Sequence, residues 1–321
     1  MAVFNKYIMP ATIETLAQKV EQFNAASAGS IRLTTEGFEG DFLQESFYAA
    51  IHSAQRRVDR YAAQTSAAPT DLTQLKHSTV KVAGGFGPVR FEPSQMTWLN
   101  KPTAEGVEVA SRNFAEALLK DQLNTSVSAL VAAIGNQGVA TTVDVSATKK
   151  ADYVAVNDSH ALFGDSSSNL VAQVMDGVSF HTFIGQNLVN SATLFQAGNV
   201  RVVDVLGRVI VVTDAPALYT AAVTSPSTPA KRRILSLAAG AATVHDSRDI
   251  ISNIETSNGQ TRIETTLQID YTFGLGLKGY TWDEASGGKS PLDSEIATGS
   301  NWDKIATDIK NTAGVMVIGQ A

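Results

Sequence analysis

The chain has 321 residues, a mass of 34.0 kDa, no cysteine and a formal net charge of −6 at pH 7. The acidic balance argues against a dedicated nucleic-acid binder, whose footprint is a basic surplus. The missing thiols exclude disulfides, thiolate metal sites and cysteine nucleophiles.

Charged residues make up 17% and hydrophobic ones 44%, with a mean hydropathy of −0.01. An ordinary soluble domain carries roughly 25% charge, so extensive protein–protein contact is expected. Met1 to Lys6 lacks a basic region followed by an apolar run, and no apolar stretch nears the ~20 residues of a bilayer span. A soluble protein made inside a cell is expected, with no membrane partner.

Residues 1–36 read as an arm. Thr12 is placed to cap a short helix with Ile13, Leu16, Ala17 and Val20 on one face, loosening at Asn24 to Ser30. Residues 37–63 read as a second helix, capped by Asp41, on which Leu43, Phe47, Ala50, Ile51, Ala54 and Val58 recur at helical spacing. Arg56, Arg57 and Arg60 on its other face suit phosphate or an acidic partner, though a solvated helix end is the plainer reading.

From 64 to 102 the chain turns polar, with frequent proline and glycine. Thr79 to Ala83 and Val89 to Phe91 flank Gly84-Gly85-Phe86-Gly87-Pro88, which predicts a hairpin in a loop that leaves the core. Over 103–149, Thr103 caps the longest helical pattern: Val107, Ala110, Phe114, Leu118, Leu123, Val127, Leu130 and Ile134, closed by Gly135. Gly106 and Asn124 are its weak points. A long helix with one apolar stripe is a strut.

Residues 151–230 read as an α/β unit. Ser167 or Ser168 starts a helix over Leu170, Val171 and Val174, and another runs over Phe183, Ile184, Leu188 and Val189. Strands follow at 200–206 and 209–213, and the run Val209-Ile210-Val211-Val212 predicts a strand buried on both faces. Ser225 to Pro229 reads as an exposed turn.

Residues 236–321 hold the clearest periodicity. Ile263, Thr265, Leu267, Ile269, Tyr271, Phe273, Leu275 and Leu277 alternate with Arg262, Glu264, Thr266, Gln268, Asp270, Thr272, Gly274, Gly276 and Lys278. That is a long strand with one wet face. Asn258-Gly259 pairs it with 249–256 across a tight turn, and Gly274 or Gly276 is expected to bend the ribbon.

Chemistry is harder to find. Gly274 to Gly279 matches G-x-G-x-x-G, but no helix pattern follows to hold a pyrophosphate, and Gly287-Gly288-Lys289-Ser290 lacks the first glycine of a P-loop. His52, His77, His160, His181 and His245 are scattered. His245, Asp246 and Asp249 could ligate a metal, but a polar turn after a strand explains them more simply. No nucleophile elbow exists. No catalytic, cofactor-binding or metal residue is assigned, and no cofactor is expected.

The order of parts resembles the major capsid proteins of tailed bacteriophages, which share the Hong Kong 97-type fold. Residues 203–216 look like the strand–turn–strand of that family's axial domain, and 235–241 like the return into its peripheral domain. Gly279 to Asp283, Ser290-Pro291 and Ser300 to Lys304 are similar to the C-terminal part of one subgroup.

The resemblance implies an α+β Hong Kong 97-like capsid fold. Its parts are an N-terminal arm (1–36), a first peripheral helix (37–63), an extended loop (64–102), a spine helix (103–149), an axial domain (150–235) and peripheral return strands (236–321). It implies a structural coat protein, not an enzyme, forming hexamers and pentamers of an icosahedral phage head around double-stranded DNA that it contacts weakly and without specificity. The portal protein, a separate scaffolding protein and a decoration protein are the further partners. Assembly in the host cytoplasm and residence in the virion capsid follow.

The extended loop would lie on a neighbouring subunit, with Val80, Val82, Phe86, Arg90 and Phe91 as intersubunit contacts. Lys76, Lys81 and Lys101 lie in the loop, but no covalent cross-link is expected. An encapsulin-type cellular shell and an unrecognised α/β enzyme are the alternatives.

Overall fold

A computed structural model describes residues 9–34, 42–48, 57, 59–61, 63, 74–91, 104–191, 208–224, 227–258, 261 and 264–321. Helix α1 (Met9–Ala26) begins three residues before Thr12, so Thr12 is a buried residue of its first turn rather than its cap. Strands β1 (Ile31–Thr34), β2 (Phe42–Tyr48) and β3 (Gln74–Phe91) follow, then the 32-residue helix α2 (Ala104–Gly135). At ~1.5 Å per residue α2 spans roughly 48 Å; Gly106 and Asn124 do not interrupt it.

The middle of the chain holds β4 (Thr142–Asp144), α3 (Tyr153–Ala161), β5 (Leu170–Met175), α4 (Gly177–Ser191), β6 (Val209–Val212) and β7 (Tyr219–Thr220). Asp152 caps α3 by accepting from the Ala155 N–H at 2.8 Å. A small exposed hairpin, β8 (Val223–Thr224) and β9 (Ser227–Thr228), sits where an exposed turn is expected. Then come β10 (Lys231–Ala238), β11 (Ala242–Ser257), β12 (Glu264–Leu277), β13 (Tyr280–Trp282), the single turns α5 (Glu284–Gly287) and α6 (Asp293–Ile296), β14 (Trp302–Lys304) and β15 (Gly314–Gln320).

Two sheets organise these elements. The first runs β1-β11-β12-β3-β2; the second runs β4-β15-β10-β5-β6, with β7 also paired to β10. In β10 the alternation of side chains is visible in what covers them. Ile234 packs with Val156 and Phe183 of α3 and α4, whereas Leu235 and Leu237 join the core shared with α2. Helix α2 therefore underlies both sheets. Its Leu118, Val127, Leu130 and Ile134 meet Leu16 of α1, Phe273 and Leu275 of β12, and Met316 of β15.

Three further expectations fail here. Residues 42–48 form a strand paired with β3 (Phe42 opposite Val80, Tyr48 opposite Gln74), not the start of a helix. Seven residues with Leu43 and Phe47 four apart satisfy either pattern, and the neighbouring strand decides; the remainder of the 37–63 helix lies outside the described residues, apart from isolated positions. Leu170, Val171 and Val174 lie on a strand, because a short apolar run clamped between β10 and β6 has no period to betray it. Conversely Val209 and Val212 are 39% and 47% exposed, so β6 is not buried on both faces. The 200–206 strand lies outside the described residues.

Candidate assembly surface

The ribbon of β11, β12 and β3 is the longest continuous feature of the first sheet. As the alternation predicts, Ile269, Tyr271, Phe273, Leu275 and Leu277 are buried, while Gln268 and Asp270 face water. Strand β11 pairs antiparallel with β12 from Ala242 opposite Leu277 to Ser257 opposite Glu264. Its pairing shifts between Asp246 and Ile250, so the irregularity lies in β11 rather than at the β12 glycines.

The expected hairpin at 79–91 does not form. β3 runs as one strand through Gly84-Gly85-Phe86-Gly87-Pro88, about 60 Å long at ~3.3 Å per residue. The glycines serve approach, not reversal. A Cβ on Gly84 would sit 2.8 Å from the Tyr271 ring. At Gly87 (φ 104°) the chain is left-handed, and the register slips so that Leu267 faces Val89 while Ile269 faces Phe86. This is a β-bulge, where a proline costs no ladder hydrogen bond.

The bulge explains what becomes of the proposed contact residues. Val80 and Val82 lie opposite Leu275 and Phe273 and are 0% and 5% exposed, in the chain's own core. They are unavailable to a neighbour, and the expectation of a loop that leaves the core is corrected for this stretch. Phe86 is half-buried, with its ring 5.4 Å from Tyr271 and 6.4 Å from Phe114. Arg90 is exposed and pairs with Glu264 at 3.3 Å; the side chain of Phe91 lies outside the description. Val89, on the same face as Val80 and Val82, is 53% exposed. Sequence reasoning placed it on a strand but missed its exposure on the apolar face, since the bulge that turns it there leaves no periodic signal.

Between Phe86 and the helices, Thr12, Phe114, Leu118, Ile250, Ile269 and Tyr271 line an apolar hollow at the limit of the chain's own cover. Here the Tyr271 hydroxyl donates to the Asp121 carboxylate of α2 at 2.6 Å. Burial holds the Asp121 carboxyl above the usual aspartate range, against the lowering effect of that hydrogen bond and with nearby Asp293 adding to the rise. On the wet face Lys81 pairs with Asp249 at 2.8 Å, which Thr272 also contacts at 3.2 Å.

The remaining candidates are dispersed. Arg57 and Arg60 are exposed; Arg56 and His52 lie outside the described residues. His77 Nε2 is 3.2 Å from the Leu277 carbonyl, His245 Nδ1 is 3.3 Å from Thr34 Oγ1, and His181 stands against Phe180. Gly274 and Gly276 lie inside β12, and Gly287 abuts the Trp282 ring, so neither glycine motif forms a phosphate cradle. The C-terminal residues that carry the family resemblance come together as β13 and β14. There Trp282 lies opposite Trp302, ring centroids 4.8 Å apart and edge to face.

The family model Gp13-like, described as major capsid protein 13-like, matches residues 1–316. Among solved structures the chain is similar to the cyanophage Pam1 capsid, with TM-score 0.52 and 12% identity over 91% of this chain and 88% of that one. It is also similar to the capsid of Ralstonia phage GP4, with TM-score 0.51 and 10% identity over 92% and 88%. At such identities the likeness is one of fold, and it is the mixed helix-and-strand fold of tailed-phage capsids. No curated protein sequence matches the chain.

Proposed function

The chain belongs to the major capsid protein 13-like family, and from that premise we propose how its ribbon serves the shell. The protein is a structural coat protein of an icosahedral phage head, not an enzyme; it self-associates into hexamers and pentamers and resides in the virion capsid. The distal end of the ribbon, with Phe86, Val89, Arg90 and Phe91, lies on a neighbouring copy.

One observation carries this reading. Along a single face of β3 the cover supplied by the chain itself fails step by step: Val80 0% exposed, Val82 5%, Phe86 half-buried, Val89 53%. An apolar face that outruns its own helices gains roughly 25 cal/mol per Å² when something covers it, and a coat protein has copies of itself at hand. Arg90, with its side chain 68% exposed, forms the rim and contributes little to affinity.

The other partners rest on the function and on charge. Packaged double-stranded DNA is contacted weakly and without sequence preference, as a net charge of −6 supports. A portal protein, a separate scaffolding protein and a decoration protein complete the head, which assembles in the host cytoplasm. Sedimentation and electron microscopy of the purified protein, alone and co-expressed with its scaffold, test the reading. Capsomers or closed shells are expected; a small discrete oligomer under both conditions contradicts it.

A further inference from the structure

In the second sheet, well away from the ribbon, a buried histidine meets an arginine. His160 lies in the last turn of α3 and is 4% exposed. Its Nε2 lies 2.9 Å from the Ser236 hydroxyl of β10, and its Nδ1 accepts from the Arg208 guanidinium. The same guanidinium nitrogen is also 3.2 Å from Nε2; because Arg208 can only donate, a neutral imidazole that accepts from it at Nδ1 carries its proton on Nε2, facing the Ser236 hydroxyl. Arg208 also donates to the Leu170 carbonyl at 2.6 Å and the Ser167 carbonyl at 2.7 Å. It stands immediately before β6, so its grip fastens the start of that strand to β5 and α3.

We propose that His160 and Arg208 form an acid-sensitive latch on β6: protonation of Nδ1 removes the acceptor, sets two cations face to face, and frees the strand.

Among the described residues, the nearby carboxylates are engaged elsewhere or face water. From the turn before β5, Asp165 pairs with Lys310 at 2.5 Å, and from β4 Asp144 pairs with Lys231 at 3.3 Å. Asp176, at the far end of β5, pairs with Arg232. On α3 itself Asp152 pairs with Lys149 at 2.7 Å, and Asp158 is exposed. Arg233 of β10 donates to the Ala217 carbonyl and to Thr220, and β15 carries no charge. Among the described residues, the charge that acts on the imidazole is that of Arg208.

Burial, and after it the Arg208 charge, lowers the His160 pKa from 6.5 to about 4. A depressed histidine pKa stabilises the folded arrangement above the ordinary value, and that contribution drains away as pH falls toward the folded one. Opening of β6 should therefore become about tenfold more frequent per pH unit between roughly pH 6.5 and pH 4.

Amide hydrogen exchange on the purified full chain tests this, comparing the protection of 209–212 with that of 315–318 in β15 in the same sample. The ratio should fall steeply on acidification in the wild type and stay flat in His160→Gln, whose neutral amide still offers an oxygen to Arg208. Equal protection of both segments down to about pH 4 in the wild type, or the same fall in His160→Gln, would overturn the latch. The wild-type result decides even if the variant does not fold.

Discussion

The Tyr271 hydroxyl donates to the Asp121 carboxylate at 2.6 Å, joining the central strand of the ribbon to the long helix that underlies both sheets. Tyr271→Phe leaves a half-buried carboxylate without its donor and should cost about 1–3 kcal/mol in a denaturant melt. Asp121→Asn keeps an acceptor and should cost less. The sign of the pH dependence follows from the raised Asp121 pKa. Such a group contributes most below the ordinary aspartate value, and that contribution is lost as pH rises through the folded value. The wild type should therefore gain stability relative to Asp121→Asn as pH is lowered from neutrality; a constant or shrinking difference contradicts the assignment.

Gly84 lies under the same tyrosine. A methyl group there would stand 2.8 Å from the ring, including its hydroxyl, and the Asp121 bond prevents the ring from simply swinging away. Gly84→Ala should destabilise by roughly 1–3 kcal/mol, and combining it with Tyr271→Phe should cost less than the sum of the two. Additive losses in a double-mutant cycle would show that the contact is not shared.

These two residues show what the sequence discloses and what it hides. The alternation from Ile263 to Lys278 and the helical stripe from Val107 to Ile134 are long, and length makes periodicity decisive; both elements appear as expected. The ambiguous segments are short. Phe42 to Tyr48 and Leu170 to Met175 read equally as helix, and neighbouring strands settle them as strands. Gly84 to Pro88 carries strong turn signals, yet each glycine answers to something across the ladder, which no local pattern can reveal. The capsid family was legible because its signal is spread over many elements. The exposure of Val89 on the apolar face was not, because it depends on one bulge.

In the second sheet Asp176 pairs with Arg232 and also accepts from the Ser179 N–H at 3.1 Å in the first turn of α4. The two side chains are 6% and 21% exposed, so water replaces the lost partner only in part. Asp176→Ala should cost about 3–5 kcal/mol by thermal or chemical melting, the range for one side of a buried pair removed. A loss below about 1 kcal/mol would place the pair among surface bridges.

Binding to DNA should be weak, independent of sequence and steeply reduced by salt, because local cations such as Arg57 and Arg60 act within an overall charge of −6. Fluorescence anisotropy across a salt series measures this. Tight, sequence-selective binding at physiological salt would require a basic face that the composition does not supply.

The central claim, that the uncovered end of the ribbon is where copies meet, is tested most directly by sedimentation of Val89→Glu beside Val82→Ala. Val89 is 53% exposed and Val82 5% exposed on the same face. The account predicts that Val89→Glu keeps the wild-type melting temperature but remains a single subunit, while Val82→Ala loses roughly 1.5–3 kcal/mol of stability and still assembles. Closed shells from Val89→Glu, at wild-type yield, would contradict it.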